Sequence, residues 1–249
     1  MGYQGFELYF QPIVRAKDES LYAAEALLRI HDKNGNFISP AEAIPILEES
    51  GLIIPVGKWI IQNAFSMCTE CRKYYPEFRV SINLSYVQIL KSPLMMELKQ
   101  IIDHSGISCS GIIVELTESG YLEGTPAVRS VWNDMKKLRI QIALDDFGTG
   151  YSNLMNISNL EPDIVKLDRG FTLKALSRSY EYQLMQYVIE MVHKLNQYVC
   201  VEGVETKEDL EKIKALGPDL IQGYYYSKPC SRDEFFEKVF LAILNSYKL

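Results

Sequence analysis

Seven apolar, strand-like runs each break into a polar or charged residue. They are YAAEALLR with Glu25, RVSIN with Asn83, IIVE with Glu115, IQIALDD with Asp145 and Asp146, DIVK with Lys166, YVCVE with Glu202, and LIQ with Gln222. Most of these residues are carboxylates, and an isolated buried carboxylate is costly. If the runs lie side by side in one parallel sheet or barrel, their ends converge, and so many acids at one place call for neutralisation by metal ions. The chain therefore reads as a metal-dependent enzyme.

The elements between these runs supply the positioning. Strand-like and helix-like segments alternate along the chain, with no Pro-, Gly- or Ser-rich linker and no low-complexity tract. FELYFQPIV and LYAAEALLRI come first, followed by a helix over Pro40 to Gly51 and a second from about Val56 to Tyr75. The order then runs strand FRVSINLS, helix SPLMMELKQIIDHSG, strand GIIVELTE, helix TPAVRSVWNDMKKL and strand IQIALDD. Next come DIVKLD, one long helix LKALSRSYEYQLMQYVIEMVHKL, YVCVEGVE, helix TKEDLEKIKALG, a last strand LIQGYYY and helix SRDEFFEKVFLAIL. Eight strands with interleaved helices in 249 residues predict an α/β fold, a modified TIM (β/α)8 barrel with its site at the C-terminal strand ends. RAKDES is too short for a parallel crossover, so the first two strands form a hairpin. The strand running against the others is FELYFQPIV, because Glu25 on its partner must join the other acids.

Bulk properties narrow the partners. A net charge of −6, from 26 basic and 32 acidic residues, argues against a broad footprint for duplex nucleic acid or an anionic membrane. No apolar run approaches the length of a membrane span, and no secretory signal is visible, so a cytoplasmic protein is expected. The five cysteines include one CxxC pair, Cys68 and Cys71, within a helical pattern and without a second ligand pair, so their expected role is structural. The three histidines form no cluster.

EALLR at 25–29, NLS at 83–85, ELTE at 115–118, DDFGTGYSNL at 145–154, KLD at 166–168, EGVET at 202–206 and QGYYYSKP at 222–229 together resemble the EAL-domain family of cyclic di-GMP phosphodiesterases. The resemblance covers about residues 7 to 245 in the family's order and spacing, so residues 1–249 are expected to form a single such domain. It implies that Glu25, Asn83, Glu115 and Asp145 hold one divalent cation, with Asp146 on a second and Asp145 bridging. Oxygen-only donors suit two Mg²⁺ or Mn²⁺ ions per site, whereas Ca²⁺ is expected to be inhibitory. Lys166 and Glu202 resemble the pair that positions and deprotonates the attacking water, the formal base being open between them, and Gln222 completes the polar shell. Arg29 and Leu27 on the EAL strand, and Gln11 in FQPIV, resemble substrate contacts. Glu118 and Glu205 are expected behind the ligands, Glu118 holding the FGTGYSNL loop, and Asp168 is expected beside Lys166 as its orienting partner.

Gly148 and Gly150 in that loop lack the spacing and lysine of a P-loop; their expected role is to let the loop move Asp146. The resemblance implies that this loop is coupled to a homodimer interface built partly from the helix around Tyr180 to Lys194. It also implies that a sensory or GGDEF-type domain often accompanies such a domain in a longer protein; the sequence does not decide whether this chain is full length or an excised part of one. Tyr224, Tyr225 and Tyr226 read as alternating along the last strand, packed in the barrel wall. Phe10 and Ile30 stand where tyrosine and tryptophan are usual in the family; neither change removes a metal ligand. Two other functions compete: a catalytically silent cyclic di-GMP receptor or protein-interaction module, and an enolase-like barrel with Lys166 as base. The receptor should have lost acids that are all present here, and the adjacent Asp145–Asp146 pair disfavours the second.

Overall fold

The computed structural model describes residues 3–117, 125–149, 157 and 160–246. Strands β1 (Phe6–Arg15) and β2 (Leu21–His31) form the antiparallel hairpin that the short connection requires, with Gln11 opposite Glu25. The two-residue strand β3 (Phe37–Ile38) pairs with the end of β2. From β2 the sheet continues in parallel through β4 (Arg79–Asn83), β5 (Ile112–Thr117), β6 (Gln141–Phe147), β7 (Ile164–Leu167), β8 (Tyr198–Glu202) and β9 (Leu220–Gln222). β9 then pairs antiparallel with β1, Gln222 opposite Ile13, and the barrel closes. A two-residue β10 (Cys230–Ser231) pairs with β1. As the hairpin predicts, β1 alone of the eight barrel strands opposes both of its barrel neighbours.

Helices fill the crossovers: α1 (Pro40–Glu49), α2 (Ile53–Arg72), α3 (Tyr86–Lys91), α4 (Leu94–Ser105), α5 (Pro126–Lys137), α6 (Arg169–Ser177), α7 (Ser179–Lys194) and α8 (Lys207–Ala215), with a helical segment over 232–246 at the end. Their apolar faces and the outward strand residues make the main core, which includes Phe10, Phe65, Val80, Ile142, Met185 and Phe235.

The inside of the barrel is filled separately. Ile13, Tyr22, Ala23, Ile113, Ala143, Ile164, Cys200 and Leu220 form a second buried cluster. Side chains alternate along a strand with a period of two, so residues two positions apart share a face. Ala23 therefore precedes Glu25, Ile113 precedes Glu115, Ala143 precedes Asp145, Ile164 precedes Lys166, Cys200 precedes Glu202 and Leu220 precedes Gln222. On the reversed β1, Gln11 stands where Ile13 is followed in the opposite direction. An apolar layer thus plugs the barrel, and the polar residues form the layer above it, at the C-terminal strand ends.

Three local expectations are corrected. The single long helix over 173–195 is two, α6 and α7, separated at Arg178, whose backbone is extended (φ −138°, ψ 129°). There Ser177 Oγ bonds back to the carbonyls of Leu173 and Lys174, a competition with the helix that serine favours. The region after β4 holds a separate short helix, α3, started by a capping box at Ser85 and Gln88, before α4. The last barrel strand ends at Gln222, so Tyr224, Tyr225 and Tyr226 lie in a turn beyond it and do not alternate in the barrel wall. The CxxC pair is structural as expected. Cys68 and Cys71 are free and fully buried on α2, and burial pushes the Cys68 thiol up to about 12.

Candidate active site

Lys166 stands at the centre of the polar layer, 2% exposed, with four carboxylates around its Nζ. Glu115 Oε2 lies at 2.6 Å, Glu202 Oε1 at 2.8 Å, Asp145 Oδ1 at 3.3 Å and Glu25 Oε2 at 3.4 Å. Each comes from a different strand, β5, β8, β6 and β2, because register places Asn83 beside Glu115 and Glu202 beside Gln222. Burial alone would lower the lysine's pKa, but the carboxylates of Asp145, Glu115, Glu202 and Glu25 hold it well above the ordinary ammonium value. Lys166 is charged at any physiological pH.

The acids do not share this gain equally. Burial, with the neighbouring Glu25 charge, raises Glu115 well above the carboxylate range. Burial likewise raises Asp145, and it pushes Glu202 up to about 8. Glu25 shifts the other way: burial opposes its charge, but Lys166 and hydrogen bonds from Gln222 and Asn83 outweigh it. Gln222 Nε2 reaches Glu25 Oε2 at 2.7 Å, and Asn83 Nδ2 reaches Glu25 Oε1 at 2.8 Å.

Asp146 follows Asp145 directly, so strand alternation alone would point it away. The pairing of β6 with β7 shifts between Leu144 and Phe147, and Asp146 takes a positive φ of 60°. Such an irregularity re-aims a side chain beside a site, and aspartate tolerates the left-handed conformation better than most residues. Burial and the adjacent Asp145 push Asp146 up to about 6.

The other expected residues fall into three groups. Gln11 and Leu27 line the mouth with Glu25, Asp145, Lys166 and Glu202 around a cavity of about 230 Å³. Gln11 accepts from Gln222 Nε2 at 3.1 Å and donates to the carbonyl of Ser227 at 3.1 Å. Leu27 also borders an adjoining cavity of about 430 Å³ that includes Arg29, Ile44, Asn83 and Tyr86. Arg29 lies half-buried with its guanidinium over the Tyr9 ring, 5.3 Å from the centroid. Glu205 bonds Arg169 at 2.7 Å on the rim. Asp168 does not orient Lys166: its carboxylate caps α6 by accepting from the amides of Gly170 and Phe171, at 2.7 and 3.3 Å. Glu118 and Gly150 lie outside the described residues.

One residue had escaped notice. Ser81, fully buried on β4, donates to Glu115 Oε1. Its position two residues before Asn83, on the same strand face, is the signal that could have found it.

Among the described residues, no three His, Cys, Asp or Glu side chains form a finished cation cage, since the acids turn to the lysine ammonium. The donor set nevertheless fits a hard divalent cation. Four carboxylates face one ammonium, and burial, with the excess of negative charge, lifts three of the acids. Gln222 Oε1 is buried without a hydrogen bond and Asp145 Oδ1 has only the Lys166 ammonium at 3.3 Å, and all the side chains that could serve offer oxygen.

A family model described as EAL domain matches residues 3–229. Cyclic di-GMP phosphodiesterase PdeF of Escherichia coli (strain K12) is 31% identical over 224 residues, 90% of this chain and 30% of that protein. Cyclic di-GMP phosphodiesterase PdeR of the same strain is 31% identical over 222 residues, 89% of this chain and 33% of that protein. The chain thus spans about a third of the length of the curated relatives it matches. Among solved structures, the EAL enzyme Bd1971 in its cAMP and cyclic-di-GMP bound form is similar with a TM-score of 0.88 at 30% identity, over 95% of this chain and 65% of that one. The PaMucR phosphodiesterase in complex with c-di-GMP gives a TM-score of 0.86 at 27% identity, over 93% and 94% of the two chains.

Proposed function

The chain belongs to the EAL domain family, and on that premise we propose that it is a metal-dependent phosphodiesterase that hydrolyses cyclic di-GMP to linear pGpG. The observation that carries this reading is the closed ring of Glu25, Glu115, Asp145 and Glu202 round Lys166, at the C-terminal mouth of the barrel and with no member missing. A silent receptor has no need of so costly a cluster, since buried acids and an ammonium are hard to retain without a chemical use.

Glu25, Asn83, Glu115 and Asp145 would hold one divalent cation, Mg²⁺ or Mn²⁺, and Asp146 with Asp145 a second. Bound there, such a pair supplies an activated water and neutralises charge on a phosphodiester. The chain's own residues do the rest. Lys166 stays protonated and gathers the acids, so its ammonium is fixed where negative charge develops on the phosphoryl oxygens. Glu202, poised near neutrality, can take a proton from a water at the mouth on the carboxylate oxygen that does not face Lys166, and is the group left to act as base while Lys166 stays protonated. Gln222 and Gln11 fix the orientation of Glu25 through their linked amides. The two cavities that meet at Leu27 offer room for a two-base ligand, with Arg29 placed to meet a phosphate.

The same reading makes the protein a cytoplasmic homodimer in second-messenger signalling, linked in its longer form to a sensory or GGDEF-type domain. Support for the dimer comes from α7, where Tyr180, Leu184 and Tyr187, with Leu195 just beyond the helix, are exposed at helical spacing away from the core face of Met185, Ile189 and Val192. Tyr180 and Tyr187 are 74% and 67% exposed.

Turnover in ¹⁸O-enriched water tests the mechanism. Water attack at phosphorus puts one label in the terminal phosphate of pGpG; unlabelled product, or none, would contradict the proposal.

A further inference from the structure

β4 brings no charge to the polar layer, yet its Ser81 and Asn83 each hold an acid of a neighbouring strand. Asn83 Nδ2 reaches leftward to Glu25 Oε1 on β2 at 2.8 Å, and Ser81 Oγ donates to Glu115 Oε1 on β5. Glu115 is the deepest of the acids, 1% exposed, and its other oxygen faces Lys166 at 2.6 Å. A carboxylate with one oxygen already engaged has only the second to present to the centre of the cluster. Ser81 itself is fully buried, so its hydroxyl must find an acceptor, and rotation about a single bond is all that aims it.

We infer that Ser81 is a positioning residue: it occupies Glu115 Oε1 so that Glu115 offers a single oxygen, Oε2, to a divalent cation in the barrel mouth. The inference rests on the metal-dependent reading above and assigns to a neutral serine the part that the sequence pattern gives only to acids and amides. Partners that fix a ligand's orientation in this way commonly contribute 10–100-fold, roughly, to cation affinity when they are removed.

The test is Mn²⁺ affinity without nucleotide, read from the electron paramagnetic resonance of the free ion. Ser81→Thr keeps the hydroxyl, while Ser81→Val has the same shape without it. Both add the same methyl relative to serine, and Ser81 borders a small space of about 10 Å³ lined also by Tyr22 and Cys200. Any packing cost is therefore common to the two, and circular dichroism checks that each folds. The inference expects Ser81→Thr to bind Mn²⁺ close to wild type and Ser81→Val to bind roughly 10–100-fold more weakly, with Ser81→Ala behaving like Ser81→Val. Equal affinities for the threonine and valine variants, whether both high or both low, would overturn it. Failure of the wild-type protein to bind Mn²⁺ would overturn the metal-dependent reading too, so the two failures are told apart.

Discussion

Lys166 is held by more negative charge than one ammonium can neutralise, and that imbalance makes the strongest residue-scale predictions. Replacing it with methionine removes the partner of four buried acids. At pH 8 without metal, Lys166→Met should lose about 3–5 kcal/mol of stability by denaturant unfolding, and its turnover should fall at least 10²–10⁴-fold, roughly. Asp146 is only half-buried on its turn, so Asp146→Asn should lose rate comparably while its melting temperature stays near wild type. The acids also set a pH dependence. Glu202 is raised to about 8 and Asp146 to about 6, so the folded protein binds their protons more tightly than the unfolded chain. Their contribution is complete below the ordinary carboxylate value and is lost as pH rises through about 6 and then about 8. In EDTA the melting temperature should therefore fall between about pH 5 and pH 8, and Mn²⁺ should flatten the decline; a rise over that window would contradict the geometry. At this scale the sequence was legible wherever a charge interrupts an apolar run. Ser81 was not, because a serine in a strand looks the same whether it faces solvent or a carboxylate. Asp168 was misread because nearness in sequence suggested an ion pair, whereas the chain turns after β7 and gives the carboxylate to the amides of α6.

The elements explain why these residues meet. Most barrel strands carry an apolar plug residue two positions from a polar one, β4 placing Ser81 there instead, so closing the barrel brings the polar residues together. That alternation, and the short RAKDES hairpin, made the barrel and its reversed strand readable from sequence. The break between α6 and α7 was not readable, since both halves have good helical spacing and only the extended backbone at Arg178 divides them. The re-aimed Asp146 could be suspected from the Asp-Asp pair, but its positive φ emerges only from the shifted β6–β7 register. Capping gives a clean prediction here. Asp168→Ala should cost about 1 kcal/mol in stability through the lost cap of α6, while Mn²⁺ affinity stays unchanged; a large loss of affinity would return Asp168 to the site.

For the whole molecule, the barrel is a rigid frame whose mouth faces one way and whose α7 presents an apolar stripe on its outside. Exposed tyrosines and leucines at helical spacing suit a self-association surface. Leu184→Glu combined with Tyr187→Glu should shift the protein from dimer to monomer in light scattering and leave the barrel's far-ultraviolet spectrum intact; a mass unchanged from that of a wild-type dimer would rule the stripe out. No helix among the described residues is long and apolar enough to cross a membrane. The decisive measurement is chromatography of cyclic di-GMP incubated with the protein and Mn²⁺ or Mg²⁺, beside EDTA and Ca²⁺ controls. Metal-dependent hydrolysis predicts linear pGpG with Mn²⁺ or Mg²⁺, none with EDTA, and bound but uncleaved dinucleotide with Ca²⁺, whose looser shell misplaces the attacking water. Cyclic di-GMP that binds and stays intact with every metal would contradict it and leave a receptor in place of an enzyme.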